Sequence, residues 1–546
     1  MTDCKNKILT FAAAAGIALS VLSAETKAAT DDVYLIPPVS LLPSKKSAAN
    51  ALGLFEADKN APLNGNLWQN TAFPTVAEKF GKIPHLLPAA AEDLRMRLLL
   101  TAGNPPQGTV GQAFITLKLN RLFERGATDE AFKLIHKIPE KTRATEQNKI
   151  NADVLLTRDL QPACYLNDRN SDNVFWLHLA AVCAAHDKNA RKTAAALESI
   201  REQSRADAFI ENAAEHFLKN EPLTARPATV TPLVAAVWRA SGRSLTELKG
   251  KTNALWFEKM FVADETIPVE KRLETAEKLV QAGILPPAKL RMYYQQARTS
   301  INLFSPELTR ARMVQNAAAL TSTPDDNMRK HHFIRQGMIS AEQSGVSYAF
   351  AAAAKDILIS LRPDADTLPD SVKIIKAFTL AGLNDQAVEW QTKAERIFPK
   401  SEAAAKSWIY ALFAQPDKNR RFFISSLERA MAYAEKHGEA DADFIRKIDR
   451  AMLLYKLTGL IPENESWFYS SFAPGSPSAA YAAMKSAPPL AKNMPVSIAV
   501  LDALDALGDG FDGLARAVAL LNAAGLNDAA RNIALQSLDD ALTVHE

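Results

Sequence analysis

Cysteine is scarce in this chain, with three among 546 residues. So few cysteines exclude a disulfide-dense small scaffold and a zinc ribbon built from paired cysteines. Glycine is also scarce at 21 residues, about 4% of the chain where about 7% is usual, whereas hydrophobic residues make up 47% and alanine is abundant. The apolar content excludes general disorder, and few glycines with many alanines favour helices over turn-rich β structure.

An excess of charge of either sign is missing as well. Lysine and arginine number 64 and aspartate and glutamate 61, which gives a formal net charge of +3. Because a nucleic-acid-binding protein carries a basic excess, we expect no nucleic acid among the partners. Basic and acidic residues are interspersed, for example over residues 271–278, which predicts that the charges mostly form solvated faces of helices.

Motifs of known chemistry are absent. The sequence contains no H-E-x-x-H, nucleophile elbow or P-loop. Gly508, Gly510 and Gly513 match G-x-G-x-x-G, but a helical pattern precedes them, so we predict a turn between helices. Adjacent His331 and His332 would diverge by about 100° on a helix and cannot bind one metal together, so we expect solvated or partner-contacting side chains. The sequence therefore predicts no catalytic residue, metal, cofactor or small-molecule substrate.

A long uncharged run occurs once, at the N-terminus. Lys5 and Lys7 precede 17 uncharged residues at 8–24, and a small-x-small pattern follows at 26–28. This order predicts a secretory signal peptide over residues 1–28. At about 1.5 Å per residue the run could just span a bilayer, so an uncleaved anchor is the alternative. No later window has this character, so we expect a periplasmic or secreted protein without a membrane span in its mature chain.

Export would remove Cys4 and leave Cys164 and Cys183, which are 19 positions apart. In an oxidising compartment such a pair predicts a disulfide. Two buried free thiols are one alternative. A metal site is another, because His186 lies three residues after Cys183 on the same helix face, although no fourth ligand is apparent.

Apolar residues recur at three- and four-residue spacing from residue 109 onwards, and no segment alternates with period two for long. This predicts an all-α fold. Before residue 109 prolines such as Pro74 are expected to break helices and leave 89–102 as the confident helix, whereas 174–186, 347–360 and 401–414 are each predicted as one helix. The predicted organisation is a signal peptide at 1–28, an irregular and partly helical segment at 29–108, a helical-repeat array at 109–460, a proline-rich linker at 461–495 and capping helices at 496–546.

The linker contains a cluster of aromatic residues, Trp467, Phe468 and Tyr469. Clustered aromatics in a loop can anchor a partner. They could equally fill the interior of a superhelix, which is the interpretation that we favour.

Four helix-to-helix turns share one form, with an apolar residue four positions before a glycine and an alanine five positions after it. The glycine can end the first helix in a left-handed cap, and the alanine lets two antiparallel helices approach closely. Thr128, Asn384 and Asn527 are expected to cap the helices that follow. The four pairs are Gly126 and Ala131, Gly283 and Ala288, Gly382 and Ala387, and Gly525 and Ala530.

The third of these turns resembles tetratricopeptide-type repeats. In that family a glycine ends the first helix, and alanine, alanine and proline follow at fixed intervals. Gly382, Ala387, Ala394 and Pro399 match all four positions, whereas the other turns match only the glycine and the first alanine. The resemblance implies a right-handed superhelix of helix pairs, an α-solenoid, whose concave face binds protein segments, and it implies no catalytic residue.

Three further stretches are similar to a group of secreted bacterial helical-repeat proteins with no assigned biochemical role. These stretches are residues 67–73, residues 94–106 and the unit that holds Cys164, Phe175, Trp176 and Cys183. This similarity implies export and helices only.

Together these patterns lead us to expect an exported, non-enzymatic solenoid that binds or scaffolds proteins in the bacterial cell envelope. The first alternative is a cell-wall-associated enzyme or accessory factor of peptidoglycan metabolism, since some lytic transglycosylases carry a long helical superhelix before a lysozyme-like domain. The roughly 50 residues after the linker are too few for such a domain and repeat the Gly525 hairpin. The second alternative is an N-terminally anchored envelope protein.

Overall fold

A computed structural model describes residues 49–56, 63, 66–166, 173–298, 305–321, 323–414, 420–439, 442–460 and 494–538. Across these ranges the chain forms 26 α-helices and no β-strand, and its extended backbone makes two isolated bridges, Phe55 with Thr101 and Ala72 with Gln107. The predicted all-α class is confirmed. None of the helices in these ranges is long and apolar enough to cross a bilayer. The signal segment and the Trp467, Phe468 and Tyr469 cluster lie outside the described residues.

The helices are numbered in chain order. The first ten are α1 Phe73–Lys82, α2 Ala89–Leu100, α3 Ala113–Glu124, α4 Thr128–His136, α5 Thr145–Arg158, α6 Leu160–Cys164, α7 Val174–His186, α8 Ala190–Glu202, α9 Ala208–Lys219 and α10 Pro232–Ala240. The next nine are α11 Leu255–Ala263, α12 Val269–Gln281, α13 Pro287–Gln296, α14 Pro306–Ala318, α15 Pro324–Gln343, α16 Ser347–Ala353, α17 Lys355–Ser360, α18 Val372–Leu380 and α19 Asn384–Ile397. The last seven are α20 Glu402–Lys406, α21 Trp408–Ala414, α22 Arg420–His437, α23 Ala442–Tyr455, α24 Val496–Ala506, α25 Gly510–Ala523 and α26 Asn527–Gln536.

Two predicted helices are interrupted, and two helices, α1 and the short α6, were not predicted. The segment 347–360 breaks at Ala354, and 401–414 breaks at Ser407. Helix α1 begins at Phe73 with Pro74 in its first turn. Pro74 was predicted to break helical structure. A proline in the first turn removes no hydrogen bond that the helix needs, because the first amides of a helix have no intrahelical partners.

Consecutive helices pack as hairpins, most extensively α7 with α8, α14 with α15 and α24 with α25. One unit departs from a simple succession. Helices α7, α8 and α9 pack mainly on one another, and the chain then returns so that α10 lies on α5 and α11 contacts α3 and α5. The buried apolar side chains from Leu54 to Leu538 form one continuous core cluster.

The last helices pack against the first ones. Helix α26 lies on α2, and α24 lies on α1. Lys79 of α1 forms an ion pair with Asp502 of α24, and the backbone N–H of Ala90 in α2 donates to Oε1 of Gln536 in α26 at 2.7 Å. We call this set of contacts the end-to-end contact. Nothing in the sequence indicated it.

Buried ion pairs are exceptions to the prediction that the charges mostly form solvated helix faces. Within 271–278, Arg272 and Glu277 are buried, while the other charged residues of that segment are exposed. Glu277 accepts hydrogen bonds from Nε of Arg310 at 2.7 Å and from the hydroxyl of Tyr294 at 2.6 Å. Charges removed from water need such partners, and this group ties α12, α13 and α14 together.

Candidate functional site

The four glycines of the recurring turn adopt the left-handed conformation that the sequence predicted. Their φ angles are +70° at Gly126, +68° at Gly283, +72° at Gly382 and +77° at Gly525. In each turn the glycine N–H donates to the carbonyl three residues earlier, and the next N–H donates to the carbonyl four residues before the glycine. These two bonds define a Schellman motif, in which the residue after the glycine packs on the residue four before it. That packing explains the apolar residue of the sequence pattern.

The alanines of the pattern differ in burial. Ala131, Ala387 and Ala530 are fully buried. Ala394, about two turns further along the same face of α19, is also fully buried. Ala288 is only half-buried. Pro399 follows the end of α19 and is exposed.

The expected helix caps are wrong. Thr128, Asn384 and Asn527 are each the first residue of a helix, and the side chain of the preceding residue makes no cap hydrogen bond. In all three the Schellman turn leads directly into the next helix, so the polar residue enters the helix instead of preceding it.

The same turn also occurs where the sequence pattern did not reveal it. Gly242, Gly345 and Gly438 have φ between +67° and +75° and make the same two hydrogen bonds, as do Lys188 and Ser204 with positive φ. The pattern missed them because none has alanine five positions later. A search for an apolar residue four before a glycine would have found part of this set.

The structure brings Cys164 and Cys183 together at disulfide-bonding distance, with their Cα atoms 5.5 Å apart. The pair links the end of α6 to α7. His186 does not join them as a ligand, because its ring packs edge-on against Phe217 at 5.3 Å. Within the described ranges no three His, Cys, Asp or Glu side chains are grouped as a metal site would require.

Two other motifs have structural roles. Gly508 lies in the turn from α24 to α25, Gly510 is the first residue of α25, and Gly513 lies in its first turn, where a Cβ would be 2.0 Å from the carbonyl oxygen of Ala506. The prediction that both His331 and His332 are solvated or contact a partner is wrong for His331. His332 is exposed, but His331 is buried and stacks on Trp390 with the ring planes 5° apart. Burial lowers the pKa of His331 to about 4.

A cavity of about 360 Å³ lies beside the end-to-end contact, and we call it the junction cavity. Its wall combines the start of α2, the α12–α13 turn, α16, the α18–α19 turn, α21 and the end of α26. The lining residues are Ala89, Ala90, Asp93, Val280, Gly283, Leu285, Pro287, Tyr348, Thr379, Leu380, Ala381, Gly382, Asn384, Phe413, Arg531, Asn532, Leu535 and Gln536. Residues far apart in the sequence therefore share one concave site.

Gly283 and Gly382, two of the predicted turn glycines, both line the junction cavity. Their surroundings differ. A Cβ at Gly283 would lie 2.9 Å from Cα of Ala89, whereas a Cβ at Gly382 would meet no atom within 4 Å. The α12–α13 turn is therefore in direct backbone contact with the start of α2.

The cavity wall contains one acidic and one basic side chain, Asp93 and Arg531. Asp93 pairs with Arg97 at 2.9 Å, and Arg531 pairs with Asp528 at 3.3 Å. The pKa of Tyr348 is raised, first by burial and then by the negative charge of Asp93. The wall can thus offer an acceptor and a donor of opposite charge beside apolar side chains.

Comparison with protein-family models, with curated proteins and with solved structures finds no match for this chain.

Proposed function

We propose that this chain is an exported, non-enzymatic α-solenoid that binds or scaffolds other proteins in the bacterial cell envelope. The observation that carries the proposal is the recurrence of one backbone turn, with the same two hydrogen bonds, from Gly126 to Gly525. A chain that repeats one supersecondary unit over 400 residues builds an extended surface from successive hairpins, and such surfaces typically bind protein segments.

The cysteine pair supports export. Cys164 and Cys183 lie at bonding distance, and disulfides persist in oxidising compartments outside the cytoplasm. Cell fractionation together with sequencing of the mature N-terminus tests this part. A mature chain that begins near residue 29 in the envelope fraction supports export with cleavage, and one that keeps Met1 in the membrane fraction indicates the anchored alternative.

Cross-linking in intact cells tests the binding function. Ile359 and Ile397 are large apolar side chains that are about half exposed. A photoreactive amino acid at either position, followed by mass spectrometry, is expected to capture a reproducible protein partner. Glu198 on the outer face of α8 is a matched exposed control. Failure to capture a protein from either position in the folded chain would overturn the proposal, as would capture of the same proteins from Glu198.

A further inference from the structure

The junction cavity presents charges of both signs that do not neutralise each other. Asp93 and Arg531 line the same cavity, yet their ion pairs are with Arg97 and Asp528 and not with one another. The Arg531 side chain is 23% exposed while its partner Asp528 is 91% exposed. A largely buried guanidinium whose carboxylate partner stands in water keeps donors available toward the cavity, because exposed ion pairs contribute little.

Helix dipoles add partial charges to those of Asp93 and Arg531. Helices α2, α13 and α19 begin at the cavity wall with Ala89, Pro287 and Asn384, and helices α18 and α26 end there. Helix starts carry partial positive charge and helix ends partial negative charge. The wall therefore offers both signs of partial charge in addition to the two charged side chains.

Hydrogen-bonding groups lie between the charges. Gln536 uses Oε1 to accept the N–H of Ala90, which leaves its amide NH₂ as a donor. Tyr348 adds a phenol whose raised pKa keeps it protonated. Leu285, Leu380 and Phe413 supply apolar surface in the same wall.

The size of the cavity limits the ligand. A cube of 360 Å³ has an edge of about 7 Å, and two extended residues span about 7 Å. Small-molecule sites begin at about 300 Å³. A free amino acid or a dipeptide fits, and a folded partner does not.

We propose that the junction cavity binds a small zwitterion, a dipeptide with free ends and apolar side chains, with its ammonium toward Asp93 and its carboxylate toward Arg531. This site goes beyond the proposed protein-binding function, because a small ligand can occupy it whether or not a protein partner is bound.

Calorimetric titration of the purified full chain tests the proposal with three matched probes. These are alanyl-leucine, its N-acetyl form, which lacks the ammonium, and its C-terminal amide, which lacks the carboxylate. Alanyl-leucine is expected to bind about tenfold or more tightly than either blocked form, because each block removes the charged group that would pair with Asp93 or with Arg531.

Two variants that remove one charge each assign the charges. Asp93→Asn is expected to abolish the preference for the free ammonium while keeping the preference for the free carboxylate. Arg531→Gln is expected to do the reverse. Arg516→Gln, which removes an exposed pair with Asp509 outside the cavity wall, is the control and keeps both preferences. Because each variant is judged by its ratio between probes, a uniform loss of stability does not imitate the result.

Two outcomes overturn the proposal. One is the absence of binding of alanyl-leucine to a chain whose circular dichroism shows a folded helical protein. The other is equal binding of all three probes, which would show that the two charges do not recognise the ligand.

Discussion

Glycine at the recurring turns meets two different demands. Every one of these positions has positive φ, which costs other residues about 1–2 kcal/mol. At Gly126 and Gly283 a second demand is added, because a Cβ there would lie 2.8 Å from the carbonyl oxygen of Leu255 and 2.9 Å from Cα of Ala89. At Gly382 and Gly525 the space is open.

Alanine substitution separates these demands. We expect Gly382→Ala to lower the free energy of unfolding by about 1 kcal/mol, through φ alone. Gly283→Ala should lower it by about 3 kcal/mol, because the backbone of α2 must also move away. Chemical denaturation of the two variants measures the difference. Equal losses would contradict the close approach of α2 to the α12–α13 turn.

His331 provides a test through pH. Its ordinary pKa is 6.5, and burial, followed by the charge of Arg335, lowers it to about 4 in the folded state. Below pH 6.5 the unfolded chain takes up a proton that the folded chain refuses, so stability falls as pH decreases from 6.5 to 4, by up to about 3 kcal/mol. Replacing the ring with an apolar one, His331→Phe, should flatten this part of the stability curve.

The neighbouring histidine is the control for that measurement. His332 is exposed, and its charge only adds to the effect of burial on the pKa of His331, so most of the loss of stability between pH 6.5 and 4 should remain in His332→Gln. The free energy of unfolding of His331→Phe could instead fall between pH 6.5 and 4 as steeply as that of the unaltered chain. That result would show that the imidazole is not shielded from water. The apolar spacing could have distinguished the two histidines, because His331 lies three residues before Ile334 and seven before Met338 on the buried face of α15, whereas His332 points about 100° away from that face.

At the scale of single elements, the Cys164–Cys183 pair closes a short loop that joins α6 to the α7–α9 unit. Closing a loop of about 20 residues is worth about 3 kcal/mol in the chain-entropy model. We expect the double variant Cys164→Ala and Cys183→Ala to expose the amides of α7 to hydrogen exchange sooner, while α14 and α15 remain protected. Reductant should reproduce this change in the unaltered chain and have no further effect on the double variant. If reductant leaves the hydrogen exchange of the α7 amides unchanged, Cys164 and Cys183 are not joined by a disulfide.

The spacing of apolar residues was enough to predict that most of these segments form helices. Helix α7 was predicted with its observed bounds. The errors have local causes. Pro74 lies in a first turn, where proline is tolerated, so α1 was missed. Ser407 is buried and its hydroxyl bonds to the carbonyl of Ala403 and to Gln391, which competes with the helical backbone and separates α20 from α21. The bond to Gln391 joins residues 16 positions apart, so the spacing of apolar residues around Ser407 does not reveal it.

At the scale of the whole molecule, the end-to-end contact depends on few polar links. Lys79 with Asp502 joins α1 to α24, and Gln536 satisfies an N-terminal amide of α2. The double variant Lys79→Met and Gln536→Leu is expected to accelerate hydrogen exchange in α1, α2, α24 and α26, with each lost link costing about 1 kcal/mol. Lys393→Met, which removes an ion pair with Glu389 within α19 and lies outside the end-to-end contact, is the control.

Helices α12 to α15 should keep their protection in that double variant, because their contacts do not involve the chain ends. If exchange in α2 stays as slow as in the Lys393→Met control, the polar links are not what holds the ends together. The sequence could not predict this contact, since hairpin turns such as that at Gly525 describe neighbours along the chain and contain no information about elements more than 400 residues away.

The end-to-end contact also sets an order of events for a newly made chain. The N–H of Ala90 and its acceptor in Gln536 are 446 positions apart. At about 5–20 residues per second, a ribosome needs about 20–90 seconds to add the intervening residues. Helix α2 is therefore synthesised long before α26, and the surface around Ala90 that meets Gln536 stays uncovered by that helix during the interval. A chaperone that shields this surface would act on the growing chain before its synthesis ends.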